Sequence, residues 1–600
     1  MTISNHHPAG PTPLILELGL TLITVVLAFW FPRMASGLFS RLETWFGRLA
    51  RKRGLSILVC GAAPCIIRLL LLPFDPIPKP WVDCDFSFLL AADTFASGRL
   101  TNPTPPLWPH FESLHITVIP TYMSMYFPAQ GMIMAAAKIV TGHPWFGVWA
   151  SCGLMCAAIC WALQGWLPSG WALLGGMLAA LRLAVFSYWM NSYTGGAVAA
   201  AGGALVLGAL PRIRKDFRAR DFFWMALGMA ILAISRPYEG LLVSIPVLAA
   251  VAWSLWKKPH PQIAVLIRRT APAAALLTGT VVFMGYYDLR LYGNVFTPPY
   301  KVNRDTYAVA PHFLWQSARP EPAYRHRSMW NFYAGPDELG EMSWFLEEKQ
   351  SVIGFLKVGV KKLIRAEFFY LNFAFMPLLV ALPWALRDRR VRILTGIGLF
   401  LAAGLAVETW LIPHYVAPAT VLIFIILLQC ARHIRAWGPS GLWLVRATPV
   451  LCVVLAVARS FAQPLDMQLP TNYGMTESWY GSAPLGLERA RVVSELESHP
   501  GKQIAIVRYV PDHLYPEWVY NAPDIDTSKV VWAREMDPER NRELLAYFKD
   551  RTAWLVEPDV NPPKVSPYRG ASYPDSDLKS VSMSARGARV DPGPVHGRRE

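Results

Sequence analysis

Long apolar runs, separated by short polar stretches, make up most of the first 460 residues. Each run holds roughly 18 to 22 residues, and a helix of about 20 residues spans the hydrocarbon core of a bilayer. The pattern predicts about 11 or 12 spanning helices, and therefore an α-helical polytopic membrane protein. The predicted spans are 14–31, 55–74, 145–166, 169–190, 193–210, 221–235, 238–256, 271–290, 366–386, 391–408, 412–431 and 440–460.

Lysine and arginine collect in the loops between these runs, at 48–53, 212–220, 257–269, 387–392 and 432–435. Cytoplasmic loops carry an excess of basic residues, so the clusters are all placed in the cytoplasm. The path alternates consistently if the apolar segment 128–141 does not cross. That segment is too short to span and begins with a proline, which favours a helix on the outer face. The outer side of the cell (inner) membrane then receives the loops 75–144 and 291–365 and the region after 460.

The pattern changes after residue 460, where the apolar runs become short. Helices are predicted at 485–496 and from Pro538, which follows the capping residue Asp537. Short strands are predicted at 504–507, 530–532 and 553–556. The domain organisation is therefore a helix and basic loop at 1–54, a transmembrane domain at 55–460, a small α/β extracytoplasmic domain at 461–560 and a disordered tail at 561–600.

The composition supports this class of protein and excludes others. Of the 600 residues, 53% are hydrophobic and 16% charged, whereas a soluble chain carries about a quarter charged residues. The net charge of +16 would suit nucleic acid, but the basic residues lie between apolar runs, so no nucleic-acid partner is predicted. Of the eight cysteines, Cys84 alone falls in a polar loop, so the exposed parts have no disulfide framework.

Two acids, Asp83 and Asp85, follow the second predicted span at the start of the first outer loop. One carboxylate could accept a proton from an attacking hydroxyl while the other orients the site or holds a divalent cation. The alternative is a solvated pair at a helix N-terminus, because 86–95 is typical of a helix and acids favour that end. The local sequence leaves both interpretations open, and no metal is assigned.

Polar motifs also interrupt the apolar runs further along the chain. Arg236-Pro237-Tyr238-Glu239 breaks the apolar stretch 222–256, and charges at membrane depth face a cavity or a partner. The alternative is that Arg236 and Glu239 only pair with each other. Asn191-Ser192-Tyr193 and Pro413-His414-Tyr415 open two other helices. The predicted topology places these motifs on the same side as the acids, and arginine with histidine beside a carboxylate suits a phosphate-bearing, lipid-linked ligand.

A family resemblance is carried by stretches that run across most of residues 75–430. They are 86–95, 98–103, 110–112, 126–131, 188–193, 235–240, 299–304 and 413–415. On these residues the chain resembles the GT-C class of membrane glycosyltransferases, which includes protein O-mannosyltransferases and aminoarabinose transferases. It is more closely similar to a set of uncharacterised bacterial members of that class.

The resemblance implies a polyprenyl-phosphate-linked sugar donor, an inverting transfer and an acidic motif in the first outer loop. Asp85 would be the base and Asp83 its partner, while Cys84 stands where similar proteins often have the first of two adjacent acids. Donor-phosphate candidates are Arg236, His414, Arg304, Glu239, Tyr238 and Tyr415. Acceptor or loop candidates are His110, Glu112, Asn191 and Tyr193.

The leading hypothesis is transfer of a sugar to a lipid, glycan or protein on the outer face. A transporter or flippase of a lipid-linked glycan is the first alternative, although such proteins need polar residues near the midplane and on both sides of it. A non-catalytic protein that keeps Arg236 and binds the donor without turnover is the second alternative, and Cys84 supports it.

Overall fold

The computed structural model describes residues 12–257, 262–336, 340–389, 391–470 and 479–569. Within these ranges, eight helices are long and apolar enough to cross a membrane, so the predicted polytopic fold is confirmed. They are Thr12–Trp30, Arg53–Leu70, Trp145–Trp166, Ala197–Asp216, Pro237–Lys257, Ile263–Tyr292, Ala417–Arg435 and Pro439–Ser460. Shorter apolar helices at Ser169–Leu183 and Arg392–Ala406 complete the apolar set.

The helices are numbered here in chain order. The first twelve are α1 (Thr12–Trp30), α2 (Ser36–Arg51), α3 (Arg53–Leu70), α4 (Asp83–Ala96), α5 (Pro128–Thr141), α6 (Trp145–Trp166), α7 (Ser169–Leu183), α8 (Tyr188–Asn191), α9 (Ala197–Asp216), α10 (Ala219–Ala233), α11 (Pro237–Lys257) and α12 (Ile263–Tyr292). The others are α13 (Pro299–Tyr307), α14 (Arg327–Tyr333), α15 (Glu341–Lys349), α16 (Val352–Tyr370), α17 (Asn372–Leu379), α18 (Leu382–Arg387), α19 (Arg392–Ala406), α20 (Thr420–Arg435), α21 (Pro439–Ser460), α22 (Leu487–Ser498) and α23 (Pro538–Tyr547).

Two predicted spans are broken in the structure. The span predicted at 169–190 ends as a helix at Leu183, and the side chain of Asn191 donates to the carbonyls of Val185 and Ser187, at 3.0 and 3.1 Å. Side chains that bond nearby backbone in this way compete with helix continuation. The span predicted at 366–386 is divided into α16, α17 and α18, with Asn372 in the left-handed region at φ 54°.

The first loop folds into α4, a small antiparallel sheet and α5. The strands are β1 (Asn102–Pro103), β2 (Ile116–Thr117) and β3 (Thr121–Ser124), in the order β1-β3-β2. The predicted helix at 128–141 is α5, which begins at Pro128 as expected. It packs closely on its neighbours, because a Cβ at Gly131 would come within 2.7 Å of Ala91 and one at Gly147 within 2.6 Å of the Ile133 carbonyl.

The C-terminal α/β domain contains α22, α23 and four strands, β4 (Lys502–Val507), β5 (Val530–Arg534), β6 (Arg551–Glu557) and β7 (Lys564–Pro567). The sheet order is β5-β4-β6-β7, with β4 parallel to β5 and β6. The domain extends further than predicted: residues 564–567 were assigned to a disordered tail but pair with β6, because Val565 packs in the same apolar cluster as Val556. Residues 570–600 of that predicted tail lie outside the described residues.

The α/β domain shares an apolar core with the first loop. Phe111, Ile116 and Tyr122 of the loop pack in one cluster with Ile504 and Val531 of the sheet. A bidentate ion pair between Arg99 and Asp524, at 2.8 and 2.9 Å, lies at the rim of this contact. Burial of apolar surface is the main favourable term in such packing, so the domain and the loop form one continuous structure.

Candidate active site

An acid cluster lies where α4 begins and the first loop returns to it. Asp83, the first residue of α4, forms an ion pair with Nδ1 of His115. The Sγ atom of Cys84 lies 3.4 Å from the same Nδ1 and 2.9 Å from Oη of Tyr126. Ser87 fixes this arrangement by donating to the carbonyl of His115 at 2.7 Å. Asp83 is therefore part of a bonded cluster and is not a solvated acid at a helix end.

Burial and charge act in opposite directions on His115. Burial lowers the pKa of His115, but the charge of Asp83 and hydrogen bonds with Asp83 and Cys84 together raise it well above 6.5. Burial and the charge of Asp83 raise the pKa of the Cys84 thiol. At neutral pH the cluster thus contains an imidazolium on His115, which is paired with Asp83, and a protonated Cys84 thiol.

The second predicted acid, Asp85, is bonded to backbone. One of its carboxylate oxygens accepts from the N–H of Tyr193 at 2.9 Å and the other from the N–H of Trp81 at 3.2 Å. Burial raises the pKa of Asp85 to about 6, although these N–H groups oppose the shift. Asp85 therefore links α4 to the segment before α9. Tyr193 also donates from its hydroxyl to the carbonyl of Pro78 at 3.0 Å, so it anchors the same segment.

Arg236 occupies the turn between α10 and α11. Its guanidinium stacks on the ring of Tyr415 at 4.5 Å, and its side chain is 15% exposed. The nearest carboxylate oxygen, on Glu239, is 3.6 Å away, which is too long for a hydrogen bond. The guanidinium donates no hydrogen bond to any residue within the described ranges. The predicted pairing with Glu239 is therefore an electrostatic contact that leaves the N–H groups of Arg236 without acceptors in the part of the chain that the structure describes.

The predicted histidine, His414, is bonded to Tyr188. Its Nδ1 lies 3.1 Å from Oη of Tyr188, and the side chain is buried. Burial, with a further contribution from the charge of Arg236, lowers the pKa of His414 well below 6.5. His414 is therefore neutral at pH 7, and it adds no positive charge beside Arg236.

A second histidine, His312, lies beside the buried Glu408, and neither residue is among those predicted from the sequence. Nε2 of His312 is 3.0 Å from Oε1 of Glu408. Burial raises the pKa of Glu408 to about 8, against the charges of Arg236 and Lys362, and burial with the charge of Arg304 lowers that of His312 to about 4. Both shifts favour the neutral forms, so the pair is uncharged at pH 7. The charge of Arg236 acts to lower the pKa of both groups, so the three residues share one electrostatic environment.

Backbone pairing brings His312 and Glu408 together. The N–H of Thr409 donates to the carbonyl of His312 and the N–H of Leu314 to that of Val407, both at 3.0 Å. The sequence did contain a signal for Glu408, because it is an acid at the end of the apolar run 391–408. That is the same signal that identified Glu239.

Arg304 and Tyr238, both predicted on the donor side, are held by protein groups. Arg304 donates to the two carboxylate oxygens of Glu341 at 2.5 and 2.6 Å and to the carbonyl of Ala310 at 2.6 Å. The hydroxyl of Tyr238 donates to the carbonyl of Gly404 at 2.9 Å. Arg304 therefore fixes the second loop, and Tyr238 fixes α11 against α19.

Three of the four acceptor or loop candidates support the architecture around the clusters. Nδ1 of His110 lies 2.9 Å from the carbonyl of Arg534, and the carbonyl of Glu112 accepts from Nε of Arg534 at 2.6 Å. Both residues therefore join the first loop to the α/β domain. Asn191 accepts from Nε of Arg68 at 2.9 Å, which fixes the end of α3. The structure does not bring these three into the acid cluster or beside Arg236.

A divalent cation could be held by the acid cluster. The ligand atoms of Asp83, Cys84 and His115 all lie within 4.8 Å of one another. Carboxylate oxygen, thiolate sulfur and imidazole nitrogen are a donor set that suits zinc. Asp83 and His115 already bond to each other, so a cation would have to replace that ion pair.

Comparison with solved structures finds distant likenesses over most of the chain. The oligosaccharyltransferase of Archaeoglobus fulgidus, determined with zinc and sulfate, is 11% identical over 84% of this chain and 67% of that chain, with a TM-score of 0.43. ArnT from Cupriavidus metallidurans bound to undecaprenyl phosphate is 13% identical over 84% of this chain and 92% of that chain, with a TM-score of 0.42. Both are GT-C glycosyltransferases, the class that the sequence resembles. No family model and no curated protein matches the chain.

Proposed function

We propose that the chain is a membrane glycosyltransferase that moves a sugar from a polyprenyl-phosphate-linked donor to a lipid, glycan or protein acceptor. The observation that carries the proposal is the state of Arg236, a largely buried guanidinium without a hydrogen-bond acceptor among the described residues. Burying such a group without partners is costly. Phosphate oxygens would supply the acceptors, and a guanidinium binds them through paired hydrogen bonds.

His312 supplies a second donor for the phosphate. Because Glu408 is protonated at neutral pH, its O–H donates to Nε2 of His312, and the imidazole proton then lies on Nδ1. Nδ1 is buried and has no partner among the described residues. This N–H takes the donor-side role that the sequence assigned to His414, whose Nδ1 is bonded to Tyr188.

Asp83 acts as the proton acceptor for the attacking hydroxyl. It forms an ion pair with the His115 imidazolium, whereas each oxygen of Asp85 already accepts a backbone N–H. The hydroxyl oxygen bonds to the anomeric carbon as its proton passes to Asp83. The bond from that carbon to the phosphate oxygen breaks, and its electron pair leaves with the polyprenyl phosphate, where Arg236 stabilises the charge. Attack opposite the leaving phosphate inverts the anomeric centre.

The proposed site lies on the outer face of the cell membrane. Asp83 follows α3 while the basic cluster 48–53 precedes it, and Tyr193 precedes α9 while the cluster 212–220 follows its apolar part. The acid cluster and the basic clusters are therefore at opposite ends of the same helices. An excess of lysine and arginine favours the cytoplasmic side.

Donor binding is tested by the lipid that co-purifies with the protein. The wild type and Arg236→Gln are purified in detergent, and bound polyprenyl phosphate is quantified by mass spectrometry of the extracted lipids. We expect the variant to retain at least tenfold less, since a hydrogen bond to a charged group contributes about 1.5–3 kcal/mol. Arg290→Gln is the matched control, because Arg290 is exposed and contacts Tyr286 on α12. Equal retention by wild type and Arg236→Gln would remove the assignment.

A non-catalytic binding protein is the alternative that Cys84 favours, since a protonated thiol cannot accept a proton in place of a carboxylate. An enzyme and a binding protein are distinguished by supplying radiolabelled polyprenyl-phosphate sugar to the protein in vesicles that contain cell-envelope lipids and proteins. An enzyme releases polyprenyl phosphate and labels an acceptor, whereas a binding protein retains the labelled donor unchanged. Asp83→Asn should abolish the release without reducing donor retention.

A further inference from the structure

A cavity of about 430 Å³ lies at the end of the bundle opposite the acid cluster. Its lining residues are Gly165, Trp166, Arg214 and Arg389. Trp166 is the last residue of α6, Arg214 lies in the last turn of α9, and Arg389 follows the end of α18. The 22 residues of α6 correspond to about 33 Å of helix, which is about the thickness of the hydrocarbon core. The cavity is therefore at the depth of lipid headgroups.

The lining of the cavity is cationic. Nε of Arg214 donates to Oγ of Ser254 on α11 at 3.0 Å, which orients the guanidinium, while Arg389 is exposed. None of the lining residues that the structure describes is acidic. The neighbouring Asp388 accepts from Nε2 of Gln429 on α20 at 2.6 Å, so its carboxylate is engaged with that helix.

A third guanidinium lies next to the cavity wall. Arg212 stacks on the ring of Trp161 at 4.0 Å and donates to the carbonyls of Trp161 and Gly208. A Cβ at Gly165 would come within 2.7 Å of Nη1 of Arg212, so this wall is closely packed. The indole of Trp166 donates to the carbonyl of Leu207 at 2.9 Å and fixes the rim.

Topology alone does not require this arrangement. Basic residues that set orientation need only lie in a loop near the membrane, as the exposed Arg218 does. Here arginines from two separate helix ends face one concave space beside a tryptophan at headgroup depth. Basic pockets between membrane helices bind anionic lipid headgroups.

We propose that this cavity binds the phosphate of an anionic lipid headgroup, independently of the sugar-transfer site. The phosphate oxygens accept from Arg214 and Arg389, and the acyl chains lie along the apolar surface of the helices that line the cavity. Phosphatidylglycerol is the probe, because it carries one phosphate charge and differs from phosphatidylcholine mainly in that net charge.

The full-length protein is purified, delipidated and titrated with each lipid, and bound lipids are counted by native mass spectrometry. We expect wild type to bind one phosphatidylglycerol at least tenfold more tightly than phosphatidylcholine. Arg214→Gln/Arg389→Gln should lose that preference. Arg218→Gln is the matched control, because Arg218 pairs with Asp216 at 2.9 Å in the same basic loop, and it should keep the preference.

Two results would overturn the proposal. One is that the double variant keeps the preference for phosphatidylglycerol over phosphatidylcholine while its melting temperature equals that of wild type. If the double variant does not fold, Arg389→Gln alone, at an exposed position, must lower that preference, and the proposal fails if it does not. The other is that inorganic phosphate and phosphatidylglycerol raise the melting temperature of the delipidated protein equally. That result would assign the cavity to a soluble phosphate compound instead of a lipid.

Discussion

The acid cluster and the surroundings of Arg236 both bury charge, but they balance it differently. In the acid cluster Asp83 faces an imidazolium on His115, so the charges cancel within the protein. Around Arg236 the contact with Glu239 is 3.6 Å long, and the adjacent His312–Glu408 pair is neutral at pH 7. Arg236 can thus bind an anion without breaking a contact within the protein, whereas in the proposed reaction the acid cluster has to rearrange its ion pair to accept a proton.

This difference predicts that the two acids in the first turn of α4, Asp83 and Asp85, have unequal roles. Asp83→Asn should lower the rate of sugar transfer by at least 10²-fold, the range expected for loss of a general base. Asp85→Asn should instead lower thermal stability, by about 1–3 kcal/mol in unfolding free energy, because it weakens buried hydrogen bonds to Tyr193 and Trp81. Transfer rates and thermal unfolding of both variants measure the contrast.

The control for this pair is Asp93→Asn. Asp93 lies on the same helix but pairs with Lys138 at 2.7 Å, away from the cluster. It should change transfer less than threefold. A rate loss larger in Asp85→Asn than in Asp83→Asn, at equal stability, would return the role of base to Asp85 as the sequence predicted.

Arg236→Lys tests what the guanidinium contributes beyond its charge. Lysine keeps the charge but loses the planar pair of donors that matches a phosphate. We expect KM for the donor to rise about tenfold while KM for the acceptor stays within twofold. Donor and acceptor titrations of the reconstituted protein measure the split. An equal rise in both constants would indicate a general structural role for Arg236.

The helices and the α/β domain could be predicted because their signals are local. A span must satisfy its own backbone in lipid, so its apolar length is visible in the sequence alone. The α/β strands alternated with helices and carried turn residues at their ends. The breaks after Leu183 and before Asn372 depend instead on side chains bonding to backbone, and apolar length does not encode them.

The candidate site was predicted only in part. Residues two apart on a helix point about 200° away from each other, so the sequence could not show which of Asp83 and Asp85 joins the cluster. His312 meets Glu408 through pairing of segments nearly a hundred residues apart in the chain. His414 is a donor-phosphate candidate in the sequence, but the burial that makes it neutral cannot be seen in a short motif.

The ion pair in the acid cluster should make stability pH-dependent. The folded-state pKa of His115 lies well above the ordinary 6.5, so the pair stabilises the fold fully below about pH 6.5. That stabilisation is lost as the pH rises through the folded value. The melting temperature of wild type should therefore fall as the pH is raised into the alkaline range. His115→Asn should be less stable than wild type at neutral pH, and its melting temperature should depend less on pH. If the melting temperatures of the two proteins depend on pH in the same way, the Asp83–His115 ion pair does not stabilise the fold.

The smallest predicted effect concerns Glu408. Because its pKa is about 8, Glu408 is mainly protonated at pH 7, and Glu408→Gln should change donor affinity less than threefold there. Above about pH 8 wild-type Glu408 ionises and places a negative charge beside Arg236, which weakens binding of an anionic donor. The glutamine variant cannot ionise, so its affinity should exceed that of wild type by several-fold at about pH 9. Donor affinities of wild type and Glu408→Gln at the two pH values measure this difference. A large loss of donor affinity in the variant already at pH 7 would mean that Glu408 contributes to donor binding as an ionised carboxylate.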